Sequence, residues 1–284
     1  MSTSKQLLED PAATKAPKPP RQRRRGSTRT ATSGKAFWAR MAILFGFLAV
    51  WEAISRAEFV NPVFLPPPTK IAIATWEILQ DPRVYTAFRV TGTAILFAFL
   101  IAVALGLTVG VLLGLNKTLR DAFLGPILFL LSTPKSVFLP IFLLLFGLGM
   151  DAKIAFGAFS AFFYVVTNVI GGVGMLEERH KRLAHAFRAP LPMYVRDIVL
   201  PSAMPGIFAA LWFGLRQAMT GVLIAELFAS DRGIGYLIRI YTNDFRTDRT
   251  LAVVLLLSIL AILGGTFWER VEKRMNRWRL DSHT

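Results

Sequence analysis

Cysteine is absent from the 284 residues, which excludes a disulfide framework, a thiolate metal site and a cysteine nucleophile. Histidine is almost as scarce. His180, His185 and His283 all sit in polar segments near charged residues, a poor setting for a buried metal or a proton relay. Charge is sparse too: 18% of residues are Asp, Glu, Lys or Arg, against 54% hydrophobic and 23 Phe. A soluble domain of this length needs more charge to cover its surface, so the long apolar runs point to a membrane protein. No His-Glu-x-x-His, Gly-x-Ser-x-Gly or pair of intramembrane aspartates occurs, so no catalytic residue and no metal site is expected. The stretch "GVLLGLNKT" at 110–118 is not a phosphate loop. Leu115 and Asn116 separate Gly114 from Lys117, and an apolar helix rather than a strand precedes it. No cofactor is therefore expected on this chain.

Six runs, near 37–55, 90–115, 123–147, 153–176, 206–228 and 250–268, approach the roughly 20 residues that cross a bilayer. The expected fold class is an all-α membrane protein with about six transmembrane helices. Lys and Arg fix its orientation. Twenty-two lie in 1–40, 116–121, 177–204 and 269–284, and nine on the opposite side, which places both termini and the 177–204 loop in the cytoplasm. Residues 1–36 read as a disordered basic cytoplasmic tail and 37–284 as the membrane domain. The first 35 residues carry nine Lys/Arg against Glu9 and Asp10, include "RQRRR", and show no apolar periodicity. The arginines suit either an anionic polymer or lipid, or retention of the terminus inside; retention is the simpler reading, and no nucleic-acid partner is expected. The tail also lacks the apolar core and cleavage site of a secretory signal.

Within the runs, Gly106, Gly110 and Gly114 recur every fourth residue and strip one helix face for close approach of a neighbour. Pro126, Pro134 and Pro140 interrupt the third run. Such breaks are tolerated at membrane depth where protein or a watery cavity satisfies the freed carbonyls, so they mark a transport path or a packing kink. Between the first two runs, "NPVFLPPPTKIAIATWEILQDP" predicts a proline turn and a short amphipathic helix along the outer membrane surface, with Ile71, Ala74 and Ile78 on one face. Three ionisable residues mark a tentative translocation pathway: Lys135, Arg216 and Glu226. Lys135 follows Pro134, Arg216 has room to snorkel, and Glu226 also fits a solvated helix end. A stand-alone secondary transporter or channel would need intramembrane acids or histidines, or a repeat of broken helices in each half; neither is evident.

The loop "RLAHAFRAPLPMYVRDIVLPSAMPG" from Arg182 to Gly206 is long for a connector. "IVLP" at 198–201 fits the Ile-x-Leu-Pro end of the cytoplasmic-loop pattern Glu-Ala-Ala, three residues, Gly, nine residues, Ile-x-Leu-Pro, and so resembles binding-protein-dependent ABC-importer permeases. "LPPPTKI", "GLTVGVLLGLN", "GPILFLLSTPKSVFLPIFLLLFGLG", "GLRQAMTGVLIAELFASDRGIGYLI" and Glu269, Arg270, Arg277 and Trp278 extend the resemblance over roughly 60–280. Together they resemble the branch for nitrate, sulfonates and taurine, which also includes thiamine-precursor pyrimidine carriers. The resemblance implies a type I ABC-importer permease fold in a bacterial inner membrane. It implies a non-enzymatic subunit paired with a second permease copy, in a homodimer or a heterodimer. Two cytosolic ATPases would carry ATP and Mg, and a periplasmic binding protein would deliver substrate. It also implies a coupling loop for the ATPase at 177–204, with Arg182, Leu183, Ala184, Ala186, Phe187, Arg188, Ala189, Ile198, Leu200 and Pro201.

Helical spacing places Leu176, Leu183, Ala186 and Phe187 on one face, an apolar ridge for a partner. Two departures stand out: Arg188 replaces the pattern's glycine and Arg182 its glutamate. Pro190 biases Ala189 out of the helical region and Pro192 opens the next helix, so a helix–turn–helix remains feasible without glycine. The Arg182 charge implies a compensating acid in the partner's groove, or a contact made mainly by Leu183 and Phe187.

Overall fold

Asp81, Pro82 and Asn116 set the limits of the longest helix. The computed structural model describes residues 33–176, 186–187 and 190–275. In it, α1 (Ser33–Arg56) is followed by α2 (Pro68–Gln80) and α3 (Pro82–Leu115). Asp81 caps α3: its carboxylate accepts from the Arg83 backbone N–H at 2.9 Å, and Pro82 fills the first turn, where a missing N–H costs nothing. Asn116 ends α3 and begins α4 (Lys117–Ser132). Its extended backbone breaks the helix, and its side chain accepts from Leu119 N–H at 3.1 Å.

A 3₁₀ turn (Lys135–Phe138) then leads into α5 (Leu139–Phe146), which stops at Gly147 with φ +74°. The remaining long elements are α6 (Met150–Gly174), α7 (Leu200–Ala229), α8 (Ile234–Asn243) and α9 (Thr247–Met275). A one-turn helix (Leu191–Tyr194) and a π turn (Val195–Val199) feed α7. No strand occurs among the described residues.

Among the described residues five helices are long and apolar enough to span a bilayer, and α4 with α5, bent by 94° at their break, make a sixth if the pair is counted as one broken span. Of the three prolines in that run, Pro134 sits at the break. Pro126 stays inside α4, and Pro140 occupies the first turn of α5.

The chain divides into two units, Met1–Leu48 and Ala49–Thr284. In the first, the described residues are the start of α1, where the Phe37 and Trp38 rings meet edge to face at 5.9 Å. The second is organised around α6, which presents buried residues to α3 and α7. The predicted small-residue stripe of α3 is filled by a valine ladder. A Cβ on Gly106, Gly110 or Gly114 would lie 2.6 to 2.7 Å from Val165, Val169 or Val173. On the other side of α6, Gly172 and Gly206 bring the α6 and α7 backbones together: a Cβ on Gly172 would lie 2.9 Å from the Gly206 Cα.

Helix α2 buries Ile71, Ala74 and Ile78, the predicted face, against Val84 and Ala87 of α3, Ile234 and Tyr241 of α8, and Ala252 and Val253 of α9. Its other side leaves Ile73 and Trp76 exposed, so both faces are apolar. Glu77 with Arg249 at 3.0 Å and Lys70 with Asp248 at 4.0 Å tie its polar edge to α9.

Candidate functional site: two basic cavities and a buried ion pair

The α4–α5 break positions Lys135. Thr133 ends α4 in extended conformation, Pro134 opens the turn, and the Lys135 ammonium folds back to donate to the Leu131 carbonyl at 2.8 Å. It also lies 5.1 Å from the centre of the Tyr164 ring. Lys135 is the one charged residue lining a cavity of about 310 Å³, whose walls include Ser132, Thr133, Ser160, Tyr164, Gln217 and Thr220.

A larger cavity of about 710 Å³ opens between α3, α7 and α9, and Arg216 is its one charged lining residue. The guanidinium stands 5.9 Å from the Trp212 ring, which stacks on Trp268 at 5.8 Å. Tyr164, Gln217 and Thr220 belong to both cavities. A third cavity, about 630 Å³ and lined mostly by apolar residues such as Ile101, Phe146 and Phe162, shares no residue with the other two.

Glu226 does not line these cavities. It is fully buried, which rules out the solvated helix end considered for it. Its carboxylate accepts from Thr91 Oγ1 at 2.9 and 2.8 Å and from the Gly235 backbone N–H at 3.0 Å. Lys153 Nζ lies 3.5 Å away and donates to the Arg232 carbonyl at 2.6 Å. Thr91 Oγ1 in turn accepts from Ile234 N–H at 2.9 Å.

Lys153, one of the nine Lys/Arg counted from sequence on the side opposite the cytoplasm, is thus 2% exposed and charge-paired. The network joins α3, α6, α7 and the turn into α8. Gly233, at φ +113°, and Gly235 sit so close to Glu226 that neither has room for a Cβ. An ion pair this deep needs such hydrogen bonds to offset its desolvation.

Sequence reasoning missed Lys153, Thr91, Tyr164 and Gln217 as site residues. Gln217 carried a usable signal: an amide beside Arg216 in an otherwise apolar run.

Of the coupling-loop residues, Arg182, Leu183, Ala184, Arg188 and Ala189 lie outside the described residues, as do Arg277 and Trp278. Ala186 is exposed, and Phe187 is 81% exposed. Leu200 and Pro201 are exposed at the start of α7, whereas Ile198 packs beside buried Val199 against the core. Leu176, placed from sequence on the docking ridge, is buried in that same core cluster with Val173 and Ala203. It lies just past the end of α6 and packs into the core, so it is not available as ridge.

The pattern of the family described as "Binding-protein-dependent transport system inner membrane component" matches residues 102–277, which include both cations, the break after α4 and the whole of α6 and α7. The taurine transport system permease of Escherichia coli (strain K12) is 28% identical over 237 residues, covering 81% of this chain and 86% of its own. A formylaminopyrimidine transport permease of Halalkalibacterium halodurans is 24% identical, covering 82% and 92%. A nitrate import permease of Synechococcus elongatus is 25% identical, covering 87% and 91%. The chain belongs to the inner-membrane permease components of binding-protein-dependent transport systems, the membrane subunits of ABC importers.

Proposed function

We propose that this permease passes a small anion, organic or inorganic, of the sulfonate, taurine or nitrate kind. The observation that carries the reading is that each of the two neighbouring cavities, which share Tyr164, Gln217 and Thr220, is lined by one cation and no carboxylate. Charge of one sign lowers the barrier to an anion and raises it for a cation. The taurine and nitrate permeases among the relatives fit that class.

The other subunits follow from the same reading. Residues 177–204 face the cytoplasm and dock an ATPase, with Phe187 as an apolar anchor beside Leu183 and Ala186. Both termini are cytoplasmic, and 1–36 form a basic tail. ATP and Mg reside on the ATPase, a second permease copy completes the pathway, and an external binding protein supplies the solute. ATP-driven closure shifts the permease between two states by no more than its differential affinity for them.

The test is uptake by the complete transporter in liposomes. Lys135→Met and Arg216→Met should each lower anion uptake about tenfold or more, since one charge a few ångströms away is worth several kcal/mol at the dielectric of a partly wet site. Unchanged uptake in both variants overturns the reading.

A second reading rests on the stacked Trp212 and Trp268 rings, with Trp212 facing the larger cavity: they suit a planar heterocycle such as the pyrimidine of the formylaminopyrimidine permease. Uptake of that pyrimidine but of no anion would select it.

A further inference from the structure

An anion leaving water must exchange its hydration for other donors, and most hydroxyls around the two cavities are not available to it. Ser132 donates to Leu128 O at 2.9 Å, Thr133 to Phe129 O at 2.8 Å, Ser160 to Phe156 O at 2.8 Å and Thr220 to Arg216 O at 2.9 Å. A hydroxyl whose proton is already engaged can offer a further group only lone pairs, which repel an oxyanion. Tyr164 and Gln217 differ. Among the described residues neither the phenol nor the amide has a hydrogen-bond partner, both side chains are half-buried, and both line the two cavities. Neither lies near a span end: Tyr164 is 14 residues into α6 and Gln217 is 12 residues before the end of α7, roughly 20 Å along each helix. Polar groups without partners at that depth are costly, so an occupant that satisfies them is favoured.

We propose that Tyr164 and Gln217 are a hydrogen-bonding partition that hands an oxyanion between the Lys135 cavity and the Arg216 cavity, and so sets which anions cross. The inference rests on the reading of the chain as an anion permease. Lys135 holds the anion on one side, with its ammonium aligned by Leu131 O. Arg216 holds it on the other, braced by Trp212. Between them the Tyr164 O–H and the two Gln217 N–H groups replace water. Gln217 offers two donors from one planar group, which suits a trigonal or tetrahedral oxyanion better than a spherical halide.

The experiment uses the complete transporter in liposomes, with taurine and nitrate as probes and chloride as competitor. Tyr164→Phe and Gln217→Leu keep side-chain size and remove donors. Each should raise the KM for the transported oxyanion about tenfold, the scale of a hydrogen bond lost to a charged group, and make chloride a better competitor. Gln217→Asn should restore part of the loss. Thr108→Val, which removes a hydroxyl bonded to its own helix and lining neither cavity, controls for hydroxyl loss as such.

Wild-type complex that takes up neither anion overturns the anion reading itself. Wild type that transports while both variants keep its KM and its chloride competition overturns the partition alone. Variants that lose the permease dimer in detergent, with transport failing for that reason, would make the two side chains interface residues and also overturn it.

Discussion

Three groups partner the Glu226 carboxylate, namely Thr91, Lys153 and the Gly235 N–H, and removing any one leaves the others buried. Lys153→Met leaves a carboxylate without its cation, and Glu226→Gln leaves an ammonium without its anion. Each should destabilise the protein by about 3–5 kcal/mol, because an uncompensated buried charge is the costly state. The double variant should recover part of that loss, read as the melting temperature in detergent; strictly additive losses would show that the pair is not coupled. Asp81 offers a gentler case outside the spans. The hydrogen bond from Arg83 holds its carboxyl below the usual carboxylate range. Its folded value is lowered, so its contribution is complete above the unfolded carboxylate range and fades as pH falls through the folded value. Asp81→Ala should cost about 1 kcal/mol at neutral pH, with the difference from wild type disappearing in strong acid. The sequence showed a charge at Glu226 but not its environment. Its partners Lys153 and Thr91 are 73 and 135 residues away, and nothing in local spacing joins them.

At the level of helices, contact depends on small residues, and position on the helix decides which ones matter. Gly171 and Gly172 are neighbours on α6, but a Cβ on Gly171 meets nothing within 4 Å, whereas one on Gly172 meets Ala203 O at 2.8 Å. Gly172→Ala and Gly206→Ala should therefore force α6 from α7 and lower the melting temperature sharply. Gly171→Ala should leave it equal or slightly higher, as alanine favours the helix. If both neighbours respond alike, close packing is not the cause. The three-glycine stripe of α3 was readable because its period is local. Its partner, Val165, Val169 and Val173, has the same period but looks in sequence like any apolar helix. The third run was readable as broken, but three prolines gave three possible breaks. Only Pro134 follows a residue held extended, Thr133; Pro140 fits a first turn, and Pro126 is absorbed within α4.

For the whole transporter, the proposed ATPase-docking loop and the proposed membrane path use different residues, and each has its own test. Phe187→Asp puts a charge on an exposed apolar side chain that plays no part in the described core. The permease should still insert, melt as wild type and lose its ATPase on purification; retained ATPase would remove Phe187 from the contact. The membrane path depends on the 94° bend in another way. Helix α4 points its C-terminal carbonyls at the bend, and a helix end of that kind carries about half a negative elementary charge. Lys135 donates to one of those carbonyls, Leu131 O, and the turn into α5 brings a helix start of opposite, positive sign to the same break, so the ammonium is the net charge there. Removing the ammonium leaves these two helix ends to offset each other, so the bend loses its net positive charge. Under the proposed anion reading, Lys135→Met should thus leave a bend that no longer favours anions, visible as lost anion uptake with no Na⁺ or K⁺ leak; a cation leak would show that the α4 carbonyls outweigh the start of α5.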